Sequence, residues 1–130
     1  MRKAAKGLRK VLKTVDVLAT SPLLRAKQTA EIVAKAYGDT KPLEVDALSP
    51  GSRPAELLKW LKSNTSNHIA LIGHEPHLSM ATSTLLTGVE KPFMTLKKGG
   101  ACLLEFPADI EAGRAKLLCT LSPSQLRRLS

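Results

Sequence analysis

The sequence predicts an α/β domain: a mainly parallel open sheet with helices on both faces and a C-terminal β-hairpin. Three observations predict it. Apolar runs of strand length alternate with stretches of helical length along the chain. Two of these alternations, around Ser21-Pro22 and around Gly73-His74-Glu75-Pro76, repeat one design of strand, tight turn and proline at a helix start. With 130 residues the chain has room for one core, so residues 1–130 form a single domain.

Each element follows from local pattern. Residues 2–13 place Ala4, Ala5, Leu8, Val11 and Leu12 on one helical face and predict a core-packing helix with a basic outer face. An apolar run predicts a strand at 15–20. A helix is expected at 22–37, with Ser21 placed to cap, Pro22 at the first helical position and Gly38 closing it. Alternation at 43–47 predicts a short strand, and Ser49-Pro50-Gly51-Ser52 a turn. Pro54 and Glu56 open a third helix with Leu57, Leu58 and Leu61 inward, ending in the polar run Ser63 to Asn67. His68 to Ile72 reads as a buried strand, and a helix at 76–87 is stopped by Gly88. Ala101–Phe106 and Arg114–Leu121 flank a Pro/Gly turn and predict the hairpin, with Cys102 and Cys119 on its adjacent strands. Ser122–Ser130 reads as a short tail.

Composition narrows the class. Hydrophobic residues make up 43% and charged residues 24%, ordinary for a globular chain. No apolar run approaches the ~20 residues that cross a bilayer, so no membrane partner is expected. Cys102 and Cys119 have no metal-ligand spacing, and a reducing cytoplasm is the default expectation. The net charge of +9 favours anionic partners. Aromatics at 3% supply a poor base-stacking platform, which weighs against nucleic acid.

The chemistry is expected where strands end. In open α/β sheets ligands bind beyond the carboxyl ends of the strands, and Arg25 and His74 both fall there. Arg25 is the odd residue of its helix, since a cation in the first turn opposes the helix dipole. Free N–H groups and a guanidinium fork suit a dianionic phosphate, and an imidazolium at His74 would donate to a second oxygen. The other readings are a solvated surface arginine and a hydrogen-bonded turn histidine. The three histidines, His68, His74 and His77, form no ligand set, so neither metal nor other cofactor is expected. No Gly-x-Ser-x-Gly elbow and no Walker loop occur.

The stretches Ser21-Pro22-Leu23-Leu24-Arg25-Ala26-Lys27-Gln28-Thr29-Ala30, Leu48-Ser49-Pro50-Gly51 and Leu71-Ile72-Gly73-His74-Glu75-Pro76 resemble the histidine phosphatase (phosphoglycerate mutase-like) superfamily. Lys97-Lys98-Gly99-Gly100 and Leu121-Ser122-Pro123-Ser124-Gln125-Leu126-Arg127 look like the small phosphohistidine phosphatases of the SixA type. The similarity runs through essentially the whole chain in order. It implies metal-independent transfer of a phosphoryl group to a nucleophilic histidine and then to water, with Arg25 and His74 as catalytic residues that hold the phosphoryl group and Ser21 as a further phosphate-binding residue. The implied substrate is a phosphorylated protein carrying phosphohistidine. A small phosphorylated metabolite, or a non-catalytic phosphate- or nucleic-acid-binding role, is the alternative.

Two departures stand out. The family's nucleophile lies in an Arg-His-Gly tripeptide ending the first strand, and no such tripeptide occurs here. The chain begins at Met1 within what would be the family's first helix, so it reads as N-terminally truncated and is expected to be inactive as it stands. Many relatives also carry a Glu shortly after the Leu matching Leu48, where this chain has Ser49-Pro50. Loss of an acid matters less for a P–N bond, whose imidazole leaves more readily than an alkoxide. Glu75 is the alternative acid; its competing role is a carboxylate at a helix N-terminus. A missing central strand predicts either direct pairing of strands 15–20 and 68–73 or an unstable, aggregation-prone chain.

Overall fold

The computed structural model describes residues 1–130. In chain order the elements are α1 (Arg2–Val11), β1 (Val17–Thr20), α2 (Leu24–Ala36), β2 (Leu43–Glu44), a 3-10 turn (Asp46–Leu48), α3 (Pro54–Ser63), β3 (Ile69–Ile72), α4 (His77–Thr87), β4 (Ala101–Glu105), β5 (Lys116–Leu121) and α5 (Pro123–Leu129). The α/β class and the order of elements match the expectation.

β1 is the spine. It pairs in parallel with β2 on one side and with β3 on the other, in register from Val17↔Ile69 to Thr20↔Ile72. Strands 15–20 and 68–73 thus pair directly, the first of the two expected outcomes. Alternation along β1 serves both faces of the sheet. Leu18 packs with Ala5, Val15, Val33 and Ala34 under α1 and α2. Ala19 packs with Leu48, Leu57, Leu61, Ala81 and Leu85 under α3 and α4.

The expected hairpin forms, with β4 and β5 as an antiparallel pair separate from the parallel sheet. It is fastened to α4 by backbone bonds from Gly113 N to Thr84 O (3.0 Å) and from Ala115 N to Leu85 O (3.0 Å). The strand expected at 43–47 contracts to two residues because Asp46–Leu48 turns into the 3-10 segment that buries Leu48. In α1, Ala4 and Ala5 are buried as expected, but Val11 is exposed. The segment read as a tail is a helix. Ser122 and Gln125 form a reciprocal capping box, with Pro123 in the first turn. α5 packs on α1 so closely that a Cβ on Gly7 would lie 1.7 Å from the Leu126 carbonyl oxygen.

The two cysteines are free and near neighbours across the hairpin, in a register that pairs Cys102 with Thr120 and Leu103 with Cys119. Burial pushes the Cys102 thiol above its ordinary range, and the neighbouring Cys119 adds to the effect.

His77, in the first turn of α4, is buried, and neither ring nitrogen has a hydrogen-bond partner. Burial holds its pKa below the ordinary histidine value, and nearby Glu56 opposes the shift. The ring is therefore carried neutral and unsatisfied. His77→Leu is expected to stabilise the fold by about 1–3 kcal/mol, the usual penalty of an orphaned buried polar group. The unfolded chain takes up a proton on this histidine near pH 6.5 and the folded chain only at lower pH, so stability falls as pH drops below about 6.5. Melting curves at pH 7.5 and pH 5 check both points: His77→Leu should melt higher and lose less on acidification.

Candidate phosphoryl-binding site

Two chain reversals, after β1 and after β3, meet at one end of the sheet. Because β1 and β3 are parallel and in register, Ser21 and Gly73 leave the sheet side by side, joined by the bond from Ser21 N to Ile72 O (2.9 Å). The next residues carry the polar groups. His74 Nε2 lies 2.8 Å from the fully buried Ser21 Oγ. A neutral imidazole protonated on Nδ1 would accept from the hydroxyl there, and an imidazolium would donate to it. In either state Ser21 fixes the ring, and His74 Nδ1 makes no hydrogen bond within the protein.

The cap expected of Ser21 is corrected by the structure. α2 starts at Leu24 with Leu23 as its N-cap residue, so Pro22 precedes the helix. Ser21 Oγ accepts from Leu23 N (3.2 Å), which tightens the turn before the helix. That offset places Arg25 in the first turn of α2, where no acidic residue accompanies it. Arg25 is exposed and makes no ion pair, whereas Lys27, one turn face away, is bonded to Glu44 at 3.5 Å. Arg25 and His74 border the same cleft. The unpaired Arg25 guanidinium, in the first turn of α2, and the imidazole held by Ser21 thus follow two turns that lie side by side, residue types suited to an oxyanion.

Glu75 is held in place. Its carboxylate accepts from Ser79 N (2.8 Å), from the Ser79 hydroxyl and from Leu96 N (3.2 Å). Two of these bonds satisfy the start of α4. The third pins the loop carrying Lys97 and Lys98, whose side chains also border the cleft. The sequence marked Lys97-Lys98-Gly99-Gly100 by its resemblance to SixA-type phosphatases and assigned these lysines no role at the site.

The other histidines lie elsewhere. His68 stands at the opposite end of β3, bonded through Nδ1 to Asp16 Oδ2 at 3.2 Å. It is separated from His74 by the length of the strand, ~20 Å at ~3.3 Å per residue. His77 does not line the cleft.

Residues 1–49 match the family model of the histidine phosphatase superfamily (branch 1). The whole fold superposes on the protein histidine phosphatase SixA complexed with tungstate, with a TM-score of 0.80 over 96% of this chain and 80% of that one. Residues 1–49 are thus similar to the histidine phosphatase superfamily, and the whole chain shares the fold of SixA. At 20% identity the likeness to SixA is one of fold. A candidate phosphohistidine phosphatase SixA from Agrobacterium tumefaciens gives a TM-score of 0.67 at 18% identity, covering 94% of this chain and 78% of that one. An uncharacterized protein of Picosynechococcus sp. (strain PCC 7002) is 36% identical over 84 residues, 62% of this chain. The aligned part spans about half, 51%, of that relative's length. The chain therefore has the fold of SixA and a cleft that Arg25 and His74 both border, and residues 1–130 contain no Arg-His-Gly. No helix is long and apolar enough to cross a membrane.

Proposed function

We propose that this domain binds the phosphoryl group of a phosphohistidine protein, with Arg25 and His74 as its ligands and Ser21 as the residue that orients His74. The single observation behind this reading is the 2.8 Å contact between His74 Nε2 and Ser21 Oγ, which ties the histidine to the turn that launches Arg25. Phosphoryl transfer depends chiefly on positioning and charge neutralisation, and a guanidinium with an imidazolium supplies both at the non-bridging oxygens. A P–N donor suits the site because the leaving imidazole needs little help from an acid, and the Glu75 carboxylate is already engaged by Ser79 and Leu96.

Hydrolysis through a covalent intermediate needs a nucleophile beside the held phosphorus. Of the two histidines at this end of β3, His77 is buried in α4 and does not line the cleft, and the proposal uses His74 as a ligand. Residues 1–130 on their own are therefore expected to bind oxyanions without turning over phosphohistidine. Calorimetric titration with tungstate tests this. One site per chain, displaced by inorganic phosphate and unmatched by chloride at equal ionic strength, is expected. Absence of saturable binding, or binding that phosphate does not displace, would overturn the assignment.

A further inference from the structure

Half of the 20 basic residues fall in three segments, 1–13, 95–100 and 122–130, which contain no Asp or Glu. The fold joins the three. α5 packs on α1 where Leu126 meets Gly7, and a Cβ on Gly99 would stand 3.6 Å from Pro123 Cγ and 4.0 Å from Met1 Sδ. Arg2, Lys3, Lys6, Arg9 and Lys10 are all exposed and share an arc of about 120° on α1. Lys3 and Lys10 lie one turn either side of Gly7, so this stripe abuts α5, whose Arg127 and Arg128 are also exposed. None of these side chains, nor Lys97 or Lys98, takes part in an ion pair within the chain. The arrangement works against its own helix. Arg2 and Lys3 oppose the dipole in a first turn that has no acid, and Arg2, Lys3 and Lys10 each stand three or four residues from Lys6. Charges that cost the fold and have no partner within it point to a partner outside.

We propose that this face docks an acidic helical surface of the phosphoprotein whose phosphoryl group enters the Arg25–His74 site, an inference that rests on the phosphoryl-binding reading of that site. Continuity argues for a single partner. Lys97, Lys98 and Arg127 border the cleft that Arg25 and His74 also border. Leu96, next to Lys97, donates its N–H to the carboxylate of Glu75, next to His74, at 3.2 Å. The straight row of cations on α1, ~15 Å long, matches carboxylates spaced three and four residues apart on a facing helix. A bilayer is a poorer match, because Ala4 and Ala5 on the opposite side of α1 are buried and cannot insert. Duplex DNA would answer the charge, but its phosphodiesters are monoanions and bring no terminal phosphoryl group to Arg25 and His74.

The probe is a capped helical peptide with glutamates along one face, titrated into the full chain at about 0.15 M salt. Its control has the same composition scrambled around the helix, and should bind more weakly. The triple variant Lys6→Gln, Arg9→Gln, Lys10→Gln should weaken the one-face peptide about tenfold. Lys59→Gln, Lys91→Gln, Lys116→Gln removes as many charges from exposed lysines elsewhere and should leave its affinity near that of the parent. Both variants should bind tungstate as the parent does. The peptide is then extended through a flexible Gly/Ser linker, ~20 Å across at about twelve residues, to a non-hydrolysable phosphohistidine analogue. The extension should tighten binding tenfold or more, and Arg25→Ala should abolish that gain alone. Equal weakening by the two triple variants would overturn the proposal. So would tighter binding of duplex DNA, or of phosphatidylcholine vesicles with about 30% phosphatidylglycerol, that the α1 variant loses. A missing gain from the extension, with tungstate and the plain peptide both bound, would overturn the shared partner. Docking of the peptide without any tungstate binding would count against the anion site and leave the face in place.

Discussion

Replacing Arg25 with alanine is expected to weaken tungstate binding tenfold to hundredfold. Arg25 stands in the first turn of α2 with no carboxylate partner, so its charge is uncommitted until an anion arrives. Hydrogen bonds to charged groups contribute about 1.5–3 kcal/mol, and each 1.4 kcal/mol is a factor of ten. Removing the side chain takes little from the fold because it is exposed. The melting temperature without ligand should therefore stay near that of the parent. Arg25→Lys should recover only part of the loss, since an ammonium keeps the charge and gives up the bidentate fork. Calorimetry on the three proteins measures the series. Equal affinities for parent and Arg25→Ala would remove Arg25 from the site.

Gly7→Ala is expected to give the largest loss of stability among single substitutions at small residues. Alanine is the better helix former by about 1 kcal/mol, so local propensity alone predicts stabilisation. Packing predicts the reverse. The new Cβ would meet the Leu126 carbonyl oxygen at 1.7 Å and the carbonyl carbon at 2.6 Å, and both are backbone atoms of α5 that no rotamer change can move. α5 must shift or detach, with Leu126, itself buried, losing its seat. Overpacking of this kind typically costs about 1–3 kcal/mol, equivalent to a fall of roughly 5–15 °C in melting temperature for a domain of this size. A melting temperature unchanged or raised would mean that α1 and α5 do not pack as described.

Elements whose pattern is local were readable from the residues. The strand runs at β1 and β3, the helix stops at Gly38 and Gly88, and the hairpin all depend on periodicity and turn chemistry, and they stand within a few residues of expectation. Arg25 was visible because it breaks a local rule, the dipole preference of a helix start. The misses have other origins. α5 carried its own signal, Ser122 and Gln125 in capping-box spacing, which went unused because the segment is short and terminal. Ser21 was legible as a polar residue at an element boundary. Its bond to His74, 53 positions away, depends on the pairing of β1 with β3 and has no trace in either local stretch. The separation of β4–β5 from the parallel sheet is likewise a property of the assembled layers. His77 was readable only as a histidine outside any ligand set; its burial without partners is a property of the assembled layers.

The central claim is that Arg25 and His74 serve one oxyanion. The most direct measurement is a tungstate titration followed by NMR at the His74 ring and the Arg25 guanidinium in the same sample. The account predicts that both sets of resonances move along one saturation curve, and that in Arg25→Ala the His74 response shifts to tenfold or higher tungstate concentration. A His74 response that keeps its midpoint in Arg25→Ala, or an Arg25 signal that never moves, would contradict it.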